Sequence, residues 1–230
     1  MSMLGAIITP HPPVLLPEVG GGREREIAAT DRAMRTAAET VAAWQPDVII
    51  VSSPHTILYR DYFHIAPGDG AVGDMSRFGA PEVRIQASYD TLLREEIIRR
   101  AEGLHAGTLG QRDPELDHGV LIPLYYLRKA GVRCPIVRMG LSGFSPLDHY
   151  RLGKCVQDAV NALGRRAVFL ASGDLSHKLK ADGPYGYAPE GHSLTTLSPA
   201  PWPAAIFLNF SPSIPRSANA QQSAACAVFR

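Results

Sequence analysis

The chain has 230 residues, with 23 basic and 22 acidic side chains and a formal net charge of +1. This length suits one domain that buries about 70% of the surface of its unfolded chain. The mixed charges form neither a basic face nor a long acidic run, which excludes nucleic acid and favours a small-molecule partner. Three distant cysteines without a C-x-x-C pair indicate a reducing, cytoplasmic location. No apolar run has the length of a membrane span, and residues 1–9 are too short for a secretion signal, so no membrane partner is expected.

The first part of the chain predicts two buried strands that each end at a histidine. Residues 4–9 are apolar on both faces, as in a parallel sheet, and run into Pro10-His11-Pro12-Pro13. Helical spacing predicts an amphipathic helix over 23–44. A second strand over 47–53 leads directly into Pro54-His55. The strand, helix, strand order indicates a right-handed crossover in a parallel sheet, so we expect His11 and His55 at the ends of two adjacent strands.

The middle of the chain is less regular. Residues 63–66 form a short apolar piece, and 67–81 are rich in glycine and aspartate around a lone Phe78, which predicts a long functional or covering loop. Residues 89–101 have the spacing of a helix. Its inward-facing side chains are expected to be Leu92, Leu93, Ile97 and Ile98.

The remaining elements alternate between helix and strand. A helix over 120–130, closed by Gly131, places His118 near a helix N-terminus, which favours the neutral imidazole. A strand over 135–139 and a helix over 147–163 follow, and a strand over 167–171 runs into Ser172-Gly-Asp-Leu-Ser-His177. This pattern predicts an α/β fold, a three-layer α/β/α sandwich around a mostly parallel or mixed sheet.

Residues 191–230 differ in composition from the rest of the chain. Only Arg216 and Arg230 are charged, five residues are proline, and no helix or strand period is visible. The composition fits a disordered or weakly folded extension. A more specific hypothesis is a frameshift in the gene near Gly191, which would make the tail an out-of-frame translation. Codons can be chosen for residues 198–207 and 214–229 such that the neighbouring reading frame encodes ordinary helical protein. We therefore divide the chain into a domain over 1–190, incomplete at its C-terminal end, and an anomalous low-charge tail over 191–230.

The histidines at strand ends are the candidate functional residues. His11 and His55, held in proline-fixed loops, suit two metal ligands at a rigid sheet edge. His177 follows a Gly-Asp turn and could be a ligand, a general base or a loop staple oriented by Asp174, and we favour the base. For His118 a structural helix cap competes with a role in the pocket. The other histidines are expected to be structural or exposed: His64, His105, His149 and His192.

Two other kinds of site lack support in the sequence. Ser172 and Ser176 lie near histidine, but no G-x-S-x-G elbow surrounds either serine, which argues against a serine hydrolase. No Walker loop or G-x-G-x-x-G motif is present, so nucleotide binding is not predicted.

The histidine motifs together resemble the B-type catalytic subunits of the class III extradiol ring-cleavage dioxygenases, in particular their uncharacterised bacterial branch. The resemblance covers residues 3 to about 190 and includes Gly183-Pro-Tyr-Gly-Tyr187. The motifs that carry it are Pro10-His11-Pro12-Pro13, Ser53-Pro54-His55, Asp117-His118-Gly119 and Ser172-Gly-Asp-Leu-Ser-His177.

The resemblance implies an oxidoreductase of aromatic compound metabolism that cleaves a catecholic ring with O2. It implies that His11 and His55 bind non-haem Fe(II), with Zn or Mn as alternative metals, that His177 is the acid/base, and that His118 lines the pocket. The third ligand of the family is a late glutamate with no matching position here, where Glu190 is the only nearby candidate. A homodimer is the assembly that the resemblance implies.

Two alternatives to a dioxygenase stay open. Memo-like proteins are related to this family and act as metal-binding modules without dioxygenase activity. The charge-poor tail also leaves open an inactive truncated product of a damaged gene.

Overall fold

A five-stranded sheet runs through the centre of the computed structural model, which describes residues 3–109, 113–183, 185–191 and 206–208, the last range as backbone only. In chain order the elements are β1 (Met3–Thr9), α1 (Pro17–Gly20), α2 (Ala28–Trp44), β2 (Val48–Ser53), β3 (Phe63–His64), β4 (Gly70–Met75), β5 (Ala80–Ser88), α3 (Thr91–Arg100), β6 (Ala106–Gly107), α4 (His118–Lys129), β7 (Ile136–Gly140), α5 (Pro146–Ala162), β8 (Ala167–Ser172) and β9 (Ile206–Leu208). The order in the sheet is β7-β2-β8-β1-β9. All its strands are parallel except β9, which pairs antiparallel with β1. The prediction of a mostly parallel α/β fold is confirmed.

Helices cover both faces of this sheet. On one face α2 and α4 pack against the side chains of Ile7, Val51 and Leu170. On the other face α3 and α5 pack against Ile50 and Val137. A sheet whose strands are apolar on both faces must be covered by helices on both faces, so the three-layer arrangement follows from the strand sequences. None of the helices in the described part of the chain is both long and apolar enough to cross a membrane.

The prediction that β1 and β2 are adjacent is wrong, because β8 lies between them. Leu170 of β8 is in register with Ile7 of β1 on one side and with Val51 of β2 on the other. A strand between two parallel neighbours is covered on both faces and is mostly apolar, and β8 is apolar up to its last residue, Ser172. The ends of β1, β8 and β2 therefore lie side by side, which brings the loops with His11, His177 and His55 to one edge of the sheet.

The segment predicted as a long loop is in fact a β-hairpin of β4 and β5. Its strands pair antiparallel from Gly70 to Ser88, and a short 3-10 turn at Ser76–Phe78 closes the tip. Two of the glycines that suggested a loop, Gly70 and Gly73, serve close packing instead, since a Cβ on Gly73 would collide with the carbonyl of Leu116. Alternate residues of β5 are buried, so the hairpin packs one face on the core.

Three smaller expectations also differ from the structure. Residues Arg23–Ile27 form a 3-10 helix, and α2 begins only at Ala28. Leu92 is 67% exposed, because the spacing of α3 turns only Leu93 and Ile97 fully inward. In the tail, which showed no strand period, three residues form β9; the rest of 192–230 lies outside the described residues.

Candidate metal site

Three histidines meet at the edge of the sheet where β1 and β2 end and α4 begins. The Nε2 atoms of His11 and His55 are 3.1 Å apart. His118 joins this pair: one ring nitrogen from each of the three histidines lies within 4.8 Å of the other two nitrogens. His11 is only 2% exposed. The structure thus brings the predicted ligands His11 and His55 together and adds His118 to the same cluster, which we call the histidine cluster.

Ser172, the last residue of β8, determines which nitrogen of His11 carries the proton. Its hydroxyl donates to the carbonyl oxygen of Gly119, which can only accept. With its single proton so used, the same oxygen accepts from His11 Nδ1, 2.8 Å away. We therefore assign the proton of His11 to Nδ1, which leaves an unprotonated Nε2 facing the cluster, the form in which imidazole binds a metal.

Asp174 connects the histidine cluster to His177. One carboxylate oxygen accepts the backbone N–H of His11 at 2.9 Å. The other lies 3.6 Å from His11 Nε2 and 3.5 Å from His177 Nε2. The side chain of His177 is 52% exposed and its ring contacts that of Tyr185 edge to face, with centroids 4.9 Å apart. His177 therefore lies outside the cluster and at its solvent side, with one carboxylate between them.

Asp117 fixes the start of α4 relative to the end of β2. As the N-cap of the helix it accepts the backbone N–H of Val120 at 3.2 Å. Its carboxylate also accepts the hydroxyls of Ser53 at 2.7 Å and Thr56 at 2.8 Å. Sequence reasoning missed this network, although Asp117 and Ser53 each stand within two residues of a candidate histidine.

Burial favours the neutral form of His11 and His118. The pKa of His11 falls from 6.5 to about 4, first because burial disfavours its charged form and then because His55 and His118 are close, while the Asp174 carboxylate opposes the shift. Burial and the neighbouring His55 also lower the pKa of His118. The neutral state expected for His118 thus agrees with its environment, with burial as the main cause. Neutral imidazoles can bind a metal at neutral pH without first losing a proton.

The lowered pKa of His11 predicts how the metal-free protein responds to acid. As the pH falls below 6.5 the unfolded chain takes up the proton first, so the free energy of unfolding decreases until the pH reaches about 4. Between about pH 7.5 and about pH 5, His11 alone should remove about 2 kcal/mol of stability. Urea unfolding of the metal-free protein at both pH values measures this loss. The His11→Gln variant, which cannot titrate here, should lose correspondingly less, and an equal loss in both proteins would contradict the prediction.

A cavity of about 300 Å³ opens beside the histidine cluster. His55 and His118 form part of its wall, and Arg77 and Phe78 from the tip of the β4–β5 hairpin form another part. The ring of Phe78 is 5.1 Å from that of His118, centroid to centroid. A second cavity of about 290 Å³ lies between α5 and the sheet and contains none of the three clustered histidines. The tip of the hairpin thus lines the cavity beside the histidine cluster, and in this sense the predicted covering segment does reach the site.

Within the described ranges, the histidine cluster includes no carboxylate with the spacing of a metal ligand. Glu190, the only candidate near the expected position, is exposed and does not join the cluster. Of the predicted structural histidines, His64 and His149 are buried, His105 is exposed, and His192 lies outside the described residues.

The chain is similar in sequence to several known proteins. The chain is 36% identical over 200 residues to Protein CA_C1420 of Clostridium acetobutylicum, a match that covers 83% of this chain and 43% of the other. It is 28% identical over 205 residues to the 2-aminophenol 1,6-dioxygenase beta subunit of a Pseudomonas species, a match that covers 76% of this chain and 63% of the relative. It is 24% identical over 155 residues to an Escherichia coli 2,3-dihydroxyphenylpropionate/2,3-dihydroxicinnamic acid 1,2-dioxygenase, a match that covers 62% of this chain and 47% of the relative. The chain thus spans between 43% and 63% of the length of these relatives.

The fold also has a counterpart among solved structures. An uncharacterized protein from Escherichia coli superposes with a TM-score of 0.54 at 16% identity, over 84% of this chain and 70% of that one. This likeness concerns the fold alone.

Residues 5–212 match the family model described as the catalytic LigB subunit of aromatic ring-opening dioxygenase. With the match extending over most of its length, the chain belongs to the LigB family.

Proposed function

We propose that this chain is a metal-dependent extradiol dioxygenase that opens a catecholic ring with O2, with Fe(II) bound by His11 and His55. The observation that carries the proposal is the pair of Nε2 atoms 3.1 Å apart, of which His11 Nε2 is left unprotonated by Ser172. This separation suits two neighbouring positions around a metal with bonds of about 2.1 Å to imidazole nitrogen. A ferrous ion held by these residues would supply Lewis-acid and redox chemistry for ring opening. The names of two relatives, an aminophenol and a dihydroxyphenylpropionate dioxygenase, support this reaction class.

In this proposal His177 and His118 handle protons and position the substrate. His177, next to the Asp174 carboxylate, takes a proton from a ring hydroxyl of the substrate at its Nε2 atom and later returns it. His118 lines the cavity as a neutral imidazole and forms a hydrogen bond with a substrate oxygen. Phe78 covers the same cavity and limits the access of water to it.

We also propose a homodimer located in the cytoplasm.

A second candidate is a metal-binding module without dioxygenase activity. It is favoured by one observation, the lack of a carboxylate ligand in the histidine cluster as far as the chain is described. With two or three imidazoles alone, an ion would keep its binding site but lose the mixed donor set that suits Fe(II) oxygenases.

Reconstitution with metal separates the two candidates. The chain is loaded with Fe(II) without oxygen and then given O2 with catechol, 2-aminophenol or 2,3-dihydroxyphenylpropionate. We expect uptake of one O2 per ring opened, and a decrease in turnover of about 100-fold or more in His177→Gln with metal binding unchanged. The His105→Asn variant, changed at an exposed histidine outside the cluster, should behave as wild type. Metal binding without oxygen uptake would overturn ring cleavage in favour of the binding module, and no metal binding would overturn both.

A further inference from the structure

A charged side chain is buried in the core behind the histidine cluster. Arg138 of β7 is 1% exposed, although its strand neighbours Val137 and Met139 are apolar core residues. Burying a guanidinium is costly unless it is both paired and hydrogen-bonded. A purely structural position in this strand would be filled more simply by an apolar side chain, so the contacts of Arg138 indicate what it does.

The guanidinium holds the segment over 113–117, which leads directly into His118. One terminal nitrogen donates to the carbonyl of Glu115 at 2.6 Å. The other donates to the carbonyl of Asp113 at 2.6 Å and lies 2.7 Å from the Asp113 carboxylate. A planar guanidinium can donate to both carbonyls while it forms an ion pair with the carboxylate, which the single ammonium of lysine does not do.

The same segment is held from its other side by the hairpin. Val72 of β4 donates its N–H to the carbonyl of Pro114 at 2.9 Å and accepts the N–H of Leu116 at 3.1 Å. The segment therefore lies between β4 and Arg138, and its conformation depends on both. Its last residue is Asp117, the N-cap of α4.

Asp117 carries the effect of Arg138 to two members of the histidine cluster. Its carboxylate is 4.0 Å from the Arg138 guanidinium. It accepts the hydroxyl of Ser53, and Ser53 in turn accepts the N–H of His55 at 3.2 Å. His118 follows Asp117 in the chain. Arg138 thus reaches both His55 and His118 through one carboxylate.

We propose that Arg138 is a positioning residue of the metal site, which places Asp117 and through it His55 and His118. This role rests on the proposed function only in that the histidine cluster binds a metal. Arg138 is not a member of the histidine cluster, although it forms part of the wall of the cavity beside the cluster. Replacement of Arg138 changes the positions of the donor nitrogens of His55 and His118 and leaves the histidines themselves in place.

Cobalt binding by the full chain tests this role. Two variants are compared with wild type: Arg138→Lys, and Arg138→Met combined with Asp113→Asn, which removes both charges of the closest pair. The measurements are Co(II) affinity by calorimetry, the visible absorption bands of bound Co(II), and thermal unfolding of the metal-free protein. We expect Co(II) affinity about 10- to 100-fold weaker, as for the loss of groups that orient metal ligands, and altered visible bands in variants that remain folded.

The control is Arg165→Lys. Arg165 also pairs with an aspartate, at 2.9 Å from Asp90, the N-cap of α3, but its side chain is 34% exposed and lies away from the histidine cluster. This variant should lose stability but keep its Co(II) affinity within about twofold. Unchanged Co(II) affinity and bands in a folded Arg138 variant would overturn the proposed role. Failure of both Arg138 variants to fold, while Arg165→Lys folds, would also overturn it, because Arg138 would then serve the whole domain. No Co(II) binding by wild type would overturn the proposed function itself.

Discussion

Replacement of His11 or His55 by alanine is expected to weaken metal binding by about 100-fold or more, beyond the 10- to 100-fold typical for loss of a group that only orients a ligand. The two Nε2 atoms face each other at 3.1 Å, so each variant leaves a single member of this pair. A metal bound by several imidazoles gains affinity from each bond because the folded protein holds the donors in place beforehand. Loss of one donor therefore removes both a bond and part of this preorganisation.

Competition with a chromophoric chelator measures the affinity of each variant for Zn(II) and Co(II). His105→Asn is the control, since His105 is exposed and its backbone is already in the left-handed region that asparagine tolerates. Thermal unfolding of the metal-free variants establishes that they fold. Wild-type affinity in folded His11→Ala and His55→Ala would show that the metal binds elsewhere.

Ser172→Ala is expected to weaken metal binding by about 10- to 100-fold without removing any ligand. The serine oxygen accepts the proton on His11 Nδ1 and donates to the Gly119 carbonyl. Without it, nothing fixes which nitrogen of His11 is protonated, and the buried Gly119 carbonyl loses its donor. Part of the metal-free population would then carry the proton on Nε2, where it blocks the metal.

Ser52→Ala is the matched control for this variant. Ser52 is also a buried serine near a strand end, but its hydroxyl has no hydrogen-bond partner among the described residues. Its replacement should leave metal affinity unchanged. Equal affinities of Ser172→Ala and Ser52→Ala, measured by the same chelator competition, would contradict the assigned tautomer of His11.

The sequence predicted the elements whose local pattern is strong and missed those that depend on distant partners. The apolar runs of β1, β2 and β8 and the caps of α4 and α5 can be recognised locally. The insertion of β8 between β1 and β2 cannot, because it depends on pairing between segments more than a hundred residues apart. The glycine-rich β4 has a weak strand pattern and is a strand only because β5 and the 113–117 segment pair with it.

The residues of the candidate site also fall into those that a local sequence pattern indicates and those that depend on contacts with distant segments. Proline and strand ends identified His11 and His55, and a helix start identified His118, but no spacing rule states that a helix delivers its histidine to the two strand ends. Ser172 drew notice as a nucleophile candidate and as part of a family motif, but its contact with Gly119, 53 positions away, has no local signal in the sequence. Arg138 looked like one residue of an apolar strand, and its role depends on backbone carbonyls that a sequence does not display.

The short strand β9 has a consequence for how copies of this protein behave towards one another. Its backbone pairs with β1 over Ala6, Ile7 and Ile8, on the side of β1 that faces away from β8. An uncovered β1 would present free amide and carbonyl groups to any other extended chain, which is a common start of aggregation. With only three residues, β9 is itself a poor template for further pairing. We therefore expect resistance of the domain to aggregation through β1 to depend on these three residues of its charge-poor tail.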